Sequence, residues 1–340
     1  MKKIYIAILM IGAMNLSSFA QDIDLDTFLE GGVGNANNLL EGYLEPAFAG
    51  FGYALNSGWY NTGKPHKLLG FDLTFGLNMA QVPNSANTFK FNESNFTNIT
   101  LENPINPDSP LFGTNELPTL FGPNLNADDI PFLVFNSGTD DEVRFTSPTG
   151  SGIDEVLPFV AVPAPYAQFG IGLIKNTDLK IRLVPEQEVD GNSIKMFGIG
   201  VMHDVKQWIP GIKNLPFDLS GFFGYTSMET VATIDENAGQ TAVFNVSGTT
   251  LQGIISKKLA ILTVYGGLGF TTSKTEFKML GDYSDILSED PIDPINISSN
   301  NGGARANIGA RLKLLILTFH VEYALQKYNT ITAGVGLSLR

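Results

Sequence analysis

The chain has 340 residues, a net charge of −13 at pH 7, no cysteine, and only 16% charged side chains, against roughly 25% in ordinary soluble domains. So acidic a balance excludes nucleic acid as a partner, because displacing phosphate counterions needs basic side chains, and the lack of cysteine excludes a disulfide framework and a lipidated cysteine anchor. The shortage of charge implies that part of the surface does not face water.

In chain order, Lys2 and Lys3 precede an apolar run from Ile4 to about Met14, and Ser18, Phe19 and Ala20 lead to Gln21. This pattern predicts a secretory signal peptide over residues 1–20, the run being shorter than the roughly 18 apolar residues of a spanning helix. Residues 21–56 hold Leu25, Phe28, Leu29, Leu39, Leu40, Leu44 and Phe48 among several glycines. Such a segment is expected to be partly helical, and it is too apolar to stand alone, so it is read as a plug. From residue 57 to 340 the chain is expected to form one barrel, with a long insertion over 83–158.

That barrel begins with an alternation. Leu69, Phe71, Leu73, Phe75, Leu77 and Met79 take one face of a strand, with Asp72, Thr74, Gly76 and Asn78 on the other. Equivalent strands are predicted near 166–174, 178–187, 194–205, 217–225, 240–256, 262–270, 302–313, 315–326 and 331–339. A hairpin from Phe132–Phe135 and Glu142–Phe145 brings the expected number to twelve, within a range of ten to fourteen. Very short basic turns join some strands, within Ile174–Ile181, Ser256–Leu262 and Ala310–Leu317. The other connections, near 83–158, 188–193, 228–239 and 280–301, are long and rich in Asn, Asp, Pro, Gly and Ser.

Short turns at one end and long loops at the other describe a transmembrane antiparallel β-barrel of the outer membrane, its short turns toward the periplasm. A soluble sandwich also alternates. Its outer face, however, would carry Lys, Glu and Arg, whereas the polar faces here are mostly Gly, Thr, Ser and Asn. Closure leaves no unpaired strand edge in hydrocarbon. Trp59, Tyr60, Tyr225, Phe277, Tyr323 and Tyr328 lie near strand ends and are expected in interfacial girdles. The connection Val205–Leu215 is long yet falls on the short-turn side, so it is read as a brief amphipathic helix placing Trp208 at the membrane interface.

Two stretches, Leu55 to Thr74 (LNSGWYNTGKPHKLLGFDLT) and Gly198 to Ser220 (GIGVMHDVKQWIPGIKNLPFDLS), resemble uncharacterised Gram-negative outer-membrane proteins, which are themselves distantly similar to the long-chain fatty-acid transporter (FadL-type) barrels. The resemblance implies a monomeric barrel with an N-terminal plug that passes hydrophobic molecules inward. The chain departs from that pattern at its end, where Arg340 stands in place of an aromatic residue, and no ligand-contact motif carries over.

Little in the sequence suggests covalent chemistry. His66, His203 and His320 have no metal-ligand spacing, and no nucleophile elbow or phosphate loop is present. Acidic residues such as Asp128, Asp129, Asp282 and Asp293 lack the EF-hand spacing and read as solvated loops. No enzyme activity, cofactor or metal is expected. The candidate functional residues are Asp72, Arg182, Asp218, Arg305, Arg311, His320 and Glu322, which share the phase opposite the greasy faces and so are expected in the lumen, paired or lining a polar path. The reading is an outer-membrane barrel for passive transport of small hydrophobic or amphipathic molecules, in contact with membrane lipid. The alternatives are a structural or interaction barrel whose long loops bind a partner, and a barrel enzyme acting on lipids.

Overall fold

The computed structural model describes residues 32–151, 159–189, 191–235, 238–284 and 291–339; the expected signal peptide and the first part of the plug segment lie outside them. Helix α1 (Val33–Leu55) comes first, followed by β1 (Phe71–Gln81). An inserted cap holds β2 (Thr88–Lys90), β3 (Ile99–Glu102), β4 (Glu116–Pro118), β5 (Phe132–Phe135) and β6 (Val143–Thr146). Then come β7 (Ala161–Leu173), β8 (Thr177–Val189), β9 (Asn192–Asp204), β10 (Asp218–Asp235), β11 (Gln240–Leu259), β12 (Leu262–Leu280), β13 (Ile295–Leu314), β14 (Leu317–Leu325) and β15 (Thr330–Leu339).

Ten of these strands, β1 and β7 to β15, form one closed antiparallel barrel, and β15 seals against β1. The expected twelve is therefore corrected to ten. The hairpin of β5 and β6 exists, but β5 pairs with β3 in a separate three-stranded sheet of the cap. Four-residue strands reach only about 13 Å, too short for a hydrocarbon layer of roughly 30 Å. Their alternation serves the cap instead, through buried Leu133 and Phe145.

The two faces fall as the periodicity requires. In β1, Asp72, Thr74, Asn78 and Ala80 point inward and are buried, while Phe71, Phe75 and Leu77 point outward and are exposed. Leu69 precedes the strand, in a left-handed conformation with φ 64°. Outward Phe197, Phe223, Leu251, Leu268 and Val321 continue an apolar belt around the barrel, far larger than the few hundred Å² that soluble monomers expose. Among the described residues no helix is long and apolar enough to cross a membrane.

Three connections are shorter than expected: 190–191, 236–239 and 281–294. The strands simply continue into them. In β13, Ile295, Ile297 and Ser299 still face inward while Asn296, Ser298 and Asn300 face out, so a loop-like composition is the wet outer face of a taller wall. β10 to β13 run 18–20 residues, whereas β14 and β15 have 9 and 10, about the 9–11 that span a bilayer. The stretch Val205–Leu215 holds a single 3₁₀ turn at Lys206–Trp208, with Trp208 exposed.

Helix α1, about 34 Å long by its 23 residues, lies in the upper lumen. Leu39, Leu40, Phe48 and Phe51 pack there on inward Val184, Met196, Val246 and Ile297. Its Ala and Gly residues allow close approach: a Cβ at Gly50 would stand 2.3 Å from Val162. The helix also serves the upper part of β13, which has no β14 partner above Ala306. There the Asn296 N–H donates to the Asn37 side chain at 2.9 Å, and the Tyr53 hydroxyl donates to the Gly302 carbonyl at 3.1 Å.

Candidate functional site: the plugged lumen and a seam in its wall

Helix α1 ends at Leu55 inside the barrel, and its last carbonyls need donors. Arg182 supplies them from the inward phase of β8. Its guanidinium donates to Leu55 O at 3.0 Å, Ser57 O at 2.7 Å and Gln168 Oε1 at 3.0 Å. The same group lies over the rings of Trp59 (3.9 Å) and Tyr166 (4.4 Å). A cation at a helix C-terminus is favoured by the dipole, and the ring faces add attraction in a desolvated site. Glycines make room for the rings: a Cβ at Gly76 would lie 2.5 Å from Tyr166.

A second charge sits beside the first. Arg305 pairs with Glu322 at 2.7 Å, both buried, and donates to Ser57 Oγ at 2.7 Å and Gln326 at 3.1 Å. Asn307 donates to Glu322 at 2.9 Å, while the Tyr60 hydroxyl is shared between Gln252 and Asn307. Ser57, just past the helix, is thus held by both arginines.

Below this lies an apolar layer of Trp59, Tyr60, Met202, Phe222, Ile254 and Tyr265, and below that a polar floor. His66 in the linker donates its backbone N–H to Asp178 Oδ1 at 2.7 Å and sets Nδ1 2.9 Å from Asp178 Oδ2. Asp72 lies 3.4 Å from His66 Nε2, and Lys180 lies 3.8 and 3.9 Å from Asp72 and Asp178. Helix, linker, aromatic layer and floor fill the barrel axis together. Among the described residues no His, Asp and Glu group is arranged to hold a metal ion.

Of the seven residues singled out by phase, Arg182, Arg305 and Glu322 join the network around Ser57, and His320 reaches Tyr166 at 3.4 Å. Arg311 is buried opposite His320 across β13 and β14. Asp72 belongs to the floor, and Asp218, half-buried at the start of β10, accepts from Ser256 at 3.2 Å. Sequence reasoning missed Asp178 and Lys180, although both share the even phase of Arg182, and missed Ser57, for which no periodicity exists in the linker. It also misplaced four aromatics. Trp59, Tyr60 and Tyr328 are buried in the lumen and Phe277 packs on the core; only Tyr225 and Tyr323 face outward.

The wall itself has a break. The β7–β8 ladder runs only from Leu173↔Thr177 to Gln168↔Arg182, leaving residues 161–167 and 183–189 unpaired with each other. Gly172 exchanges backbone bonds with the chain entering β1, so even-numbered backbone groups of β7 face β1 and odd-numbered ones face β8. Pro163 and Pro165 therefore lack N–H groups on the β8 side. Continuing the register would set Pro165 against Pro185, and two prolines cannot form the pair of ladder bonds. The break is written into the sequence at the upper half of β1's height, since β7 pairs with β1 throughout from Gln81↔Ala161 to Phe71↔Ile171.

These features define the class: a ten-stranded antiparallel barrel, apolar outside, with a helix tied into its lumen. Residues 1–339 match the family of unknown function DUF6588, and the chain belongs to that family. No curated protein matches. Among solved structures, the translocator domain of autotransporter NalP from Neisseria meningitidis is 12% identical, covering 82% of this chain and 91% of its own at a TM-score of 0.31. The attachment invasion locus protein Ail of Yersinia pestis is 14% identical, covering 48% and 94% at 0.26. A Pseudomonas aeruginosa FadL homologue is 10% identical, covering 86% and 95% at 0.21. Scores at this level carry no argument about function.

Proposed function

We propose that this protein is a monomeric outer-membrane barrel through which small hydrophobic or amphipathic molecules pass without covalent chemistry, entering from the lipid through the β7–β8 seam. The observation that carries this reading is the proline-enforced end of the ladder at Gln168↔Arg182. An interrupted wall inside an apolar belt gives lipid-dissolved solutes a side route, while the plugged axis opposes free diffusion of water-soluble ones. Behind the seam lie Val162, Ala164 and Tyr166, with Gly50 of α1 against Val162, a surface largely apolar and suited to such solutes.

The chain has no cysteine, which makes a cross-linking test clean. Ala167→Cys with Leu183→Cys, bridged by a bifunctional thiol reagent, is expected to reduce uptake of a fluorescent fatty-acid analogue into proteoliposomes to the level of empty liposomes. Bridging Phe169→Cys with Ile181→Cys, which already face each other in the ladder, should leave uptake unchanged. Equal uptake with and without the seam bridge sinks the side route. The filled axis favours a second reading, a structural or interaction barrel that binds a partner through its cap. That reading gains if no probe passes even after residues 33–56 are deleted.

A further inference from the structure

Five places gather the chain at the short-turn end: the 174–176 turn, the 205–217 connection, the 260–261 turn, the 315–316 turn and the linker entering β1. Each combines lysine with an exposed apolar residue. Ile174 (68% exposed) sits beside Lys175, Trp208 (61%) and Ile209 lie between Lys206 and Lys213, and Leu215 follows Lys213. Leu259 and Ile261 follow Lys257 and Lys258, Leu315 (92%) and Ile316 follow Lys313, and Leu68 and Leu69 follow Lys64 and Lys67.

Two-residue hairpin turns ordinarily take Asn or Gly where φ is positive. Here Leu315 holds φ 56° and Ala260 φ 54°, so apolar side chains stand at turn tips against local preference. The opposite end differs in sign. Three of its exposed cations are matched by acids, with Lys195 2.5 Å from Glu229, Lys274 2.5 Å from Glu276 and Arg144 2.9 Å from Glu102, while exposed Lys90 and Lys327 make no ion pair among the described residues. Lys175, Lys213, Lys257 and Lys258 make no ion pair among the described residues.

We infer that this rim binds anionic phospholipid of the inner leaflet, the apolar tips entering the acyl boundary and the lysines meeting phosphate headgroups. Interfacial Trp with flanking Lys is suited to that depth. The ring distribution favours lipid over a protein partner, because a lipid annulus touches all five positions whereas a docked protein would need one localised patch. The inference rests on the membrane-barrel reading.

The test uses the full chain in vesicles of phosphatidylcholine containing either brominated phosphatidylglycerol or brominated phosphatidylcholine at equal mole fraction. The chain has two tryptophans, and subtracting the signal of Trp208→Phe isolates the rim. Brominated phosphatidylglycerol should quench Trp208 more strongly, reflecting about fivefold local enrichment for each lysine near an anionic surface. The difference should vanish in a Lys175→Gln, Lys213→Gln, Lys257→Gln, Lys258→Gln variant, and shrink in about 0.5 M salt. Equal quenching by both lipids overturns the anionic preference while leaving the barrel in the membrane. Absence of quenching by either lipid, in protein that resists carbonate extraction, also overturns it and puts the rim in water or against protein. Release by carbonate overturns the membrane reading itself.

Discussion

Arg182 and Arg305 are tolerated in a closed lumen because the helix end, Ser57, Glu322, Gln168 and Gln326 accept from their guanidinium groups. Removing one partner exposes the cost. Glu322→Gln should destabilise the barrel by about 3 kcal/mol, read from the urea midpoint in lipid, whereas Arg305→Met with Glu322→Leu should recover most of the loss. If the single change costs no more than the double, the pair is not holding the lumen together. On the outer face the argument reverses: Leu73→Arg should cost roughly 2–4 kcal/mol near the midplane, and a neutral result would contradict a lipid-facing β1. Which side these residues take was legible from phase alone. What they touch was not, because Ser57, Trp59 and Tyr60 lie in a linker with no repeating pattern, and an aromatic near a strand end looks the same whether it faces a membrane interface or a plug.

The strands were legible wherever period two met a small polar face, and Gly76 shows why that face is small: Tyr166 needs the space. The count failed at β5 and β6, since alternation reports one buried face and not which body buries it. The seam was written in Pro163, Pro165 and Pro185, but reading it required knowing which neighbour each backbone group faces. An exchange experiment checks it at this scale. The amides of Ala161 and Ala167 should exchange with solvent much faster than those of Phe169 and Ile181, which the ladder protects. Similar protection across all four would mean that the wall closes there and that the prolines are accommodated by another route.

For the molecule as a whole, charge and length divide along the barrel axis. Lysine-bearing turns mark one end, while the other carries the taller wall of β10 to β13 and a cap with exposed Asp128, Asp140, Asp141 and Glu142. This polarity was visible in the sequence as short basic turns against long acidic connections. Within the cap the β5–β6 hairpin was legible, and β2, β3 and β4, only three or four residues long, were not. The polarity predicts an orientation. In intact cells a membrane-impermeant maleimide should label Asp140→Cys, and should label Lys257→Cys only after the outer membrane is opened. The opposite pattern would invert the assignment of the two ends.

The seal between β1 and β15 sets the order of events in folding. It joins Phe71 to Leu339 and Ala80 to Thr330, partners roughly 260 residues apart along the chain, so the entropy of bringing them together is met late. Helix α1 precedes every wall strand in the chain, yet ends up behind all of them. It cannot be threaded into a finished cylinder closed by ten ladder pairs. We expect the strands instead to curl around it, with Arg182 and Arg305 meeting the helix end before the last hairpin arrives, and the chain without residues 33–56 to close its wall more slowly, since the occupant of the lumen then no longer serves as the former on which it is wound.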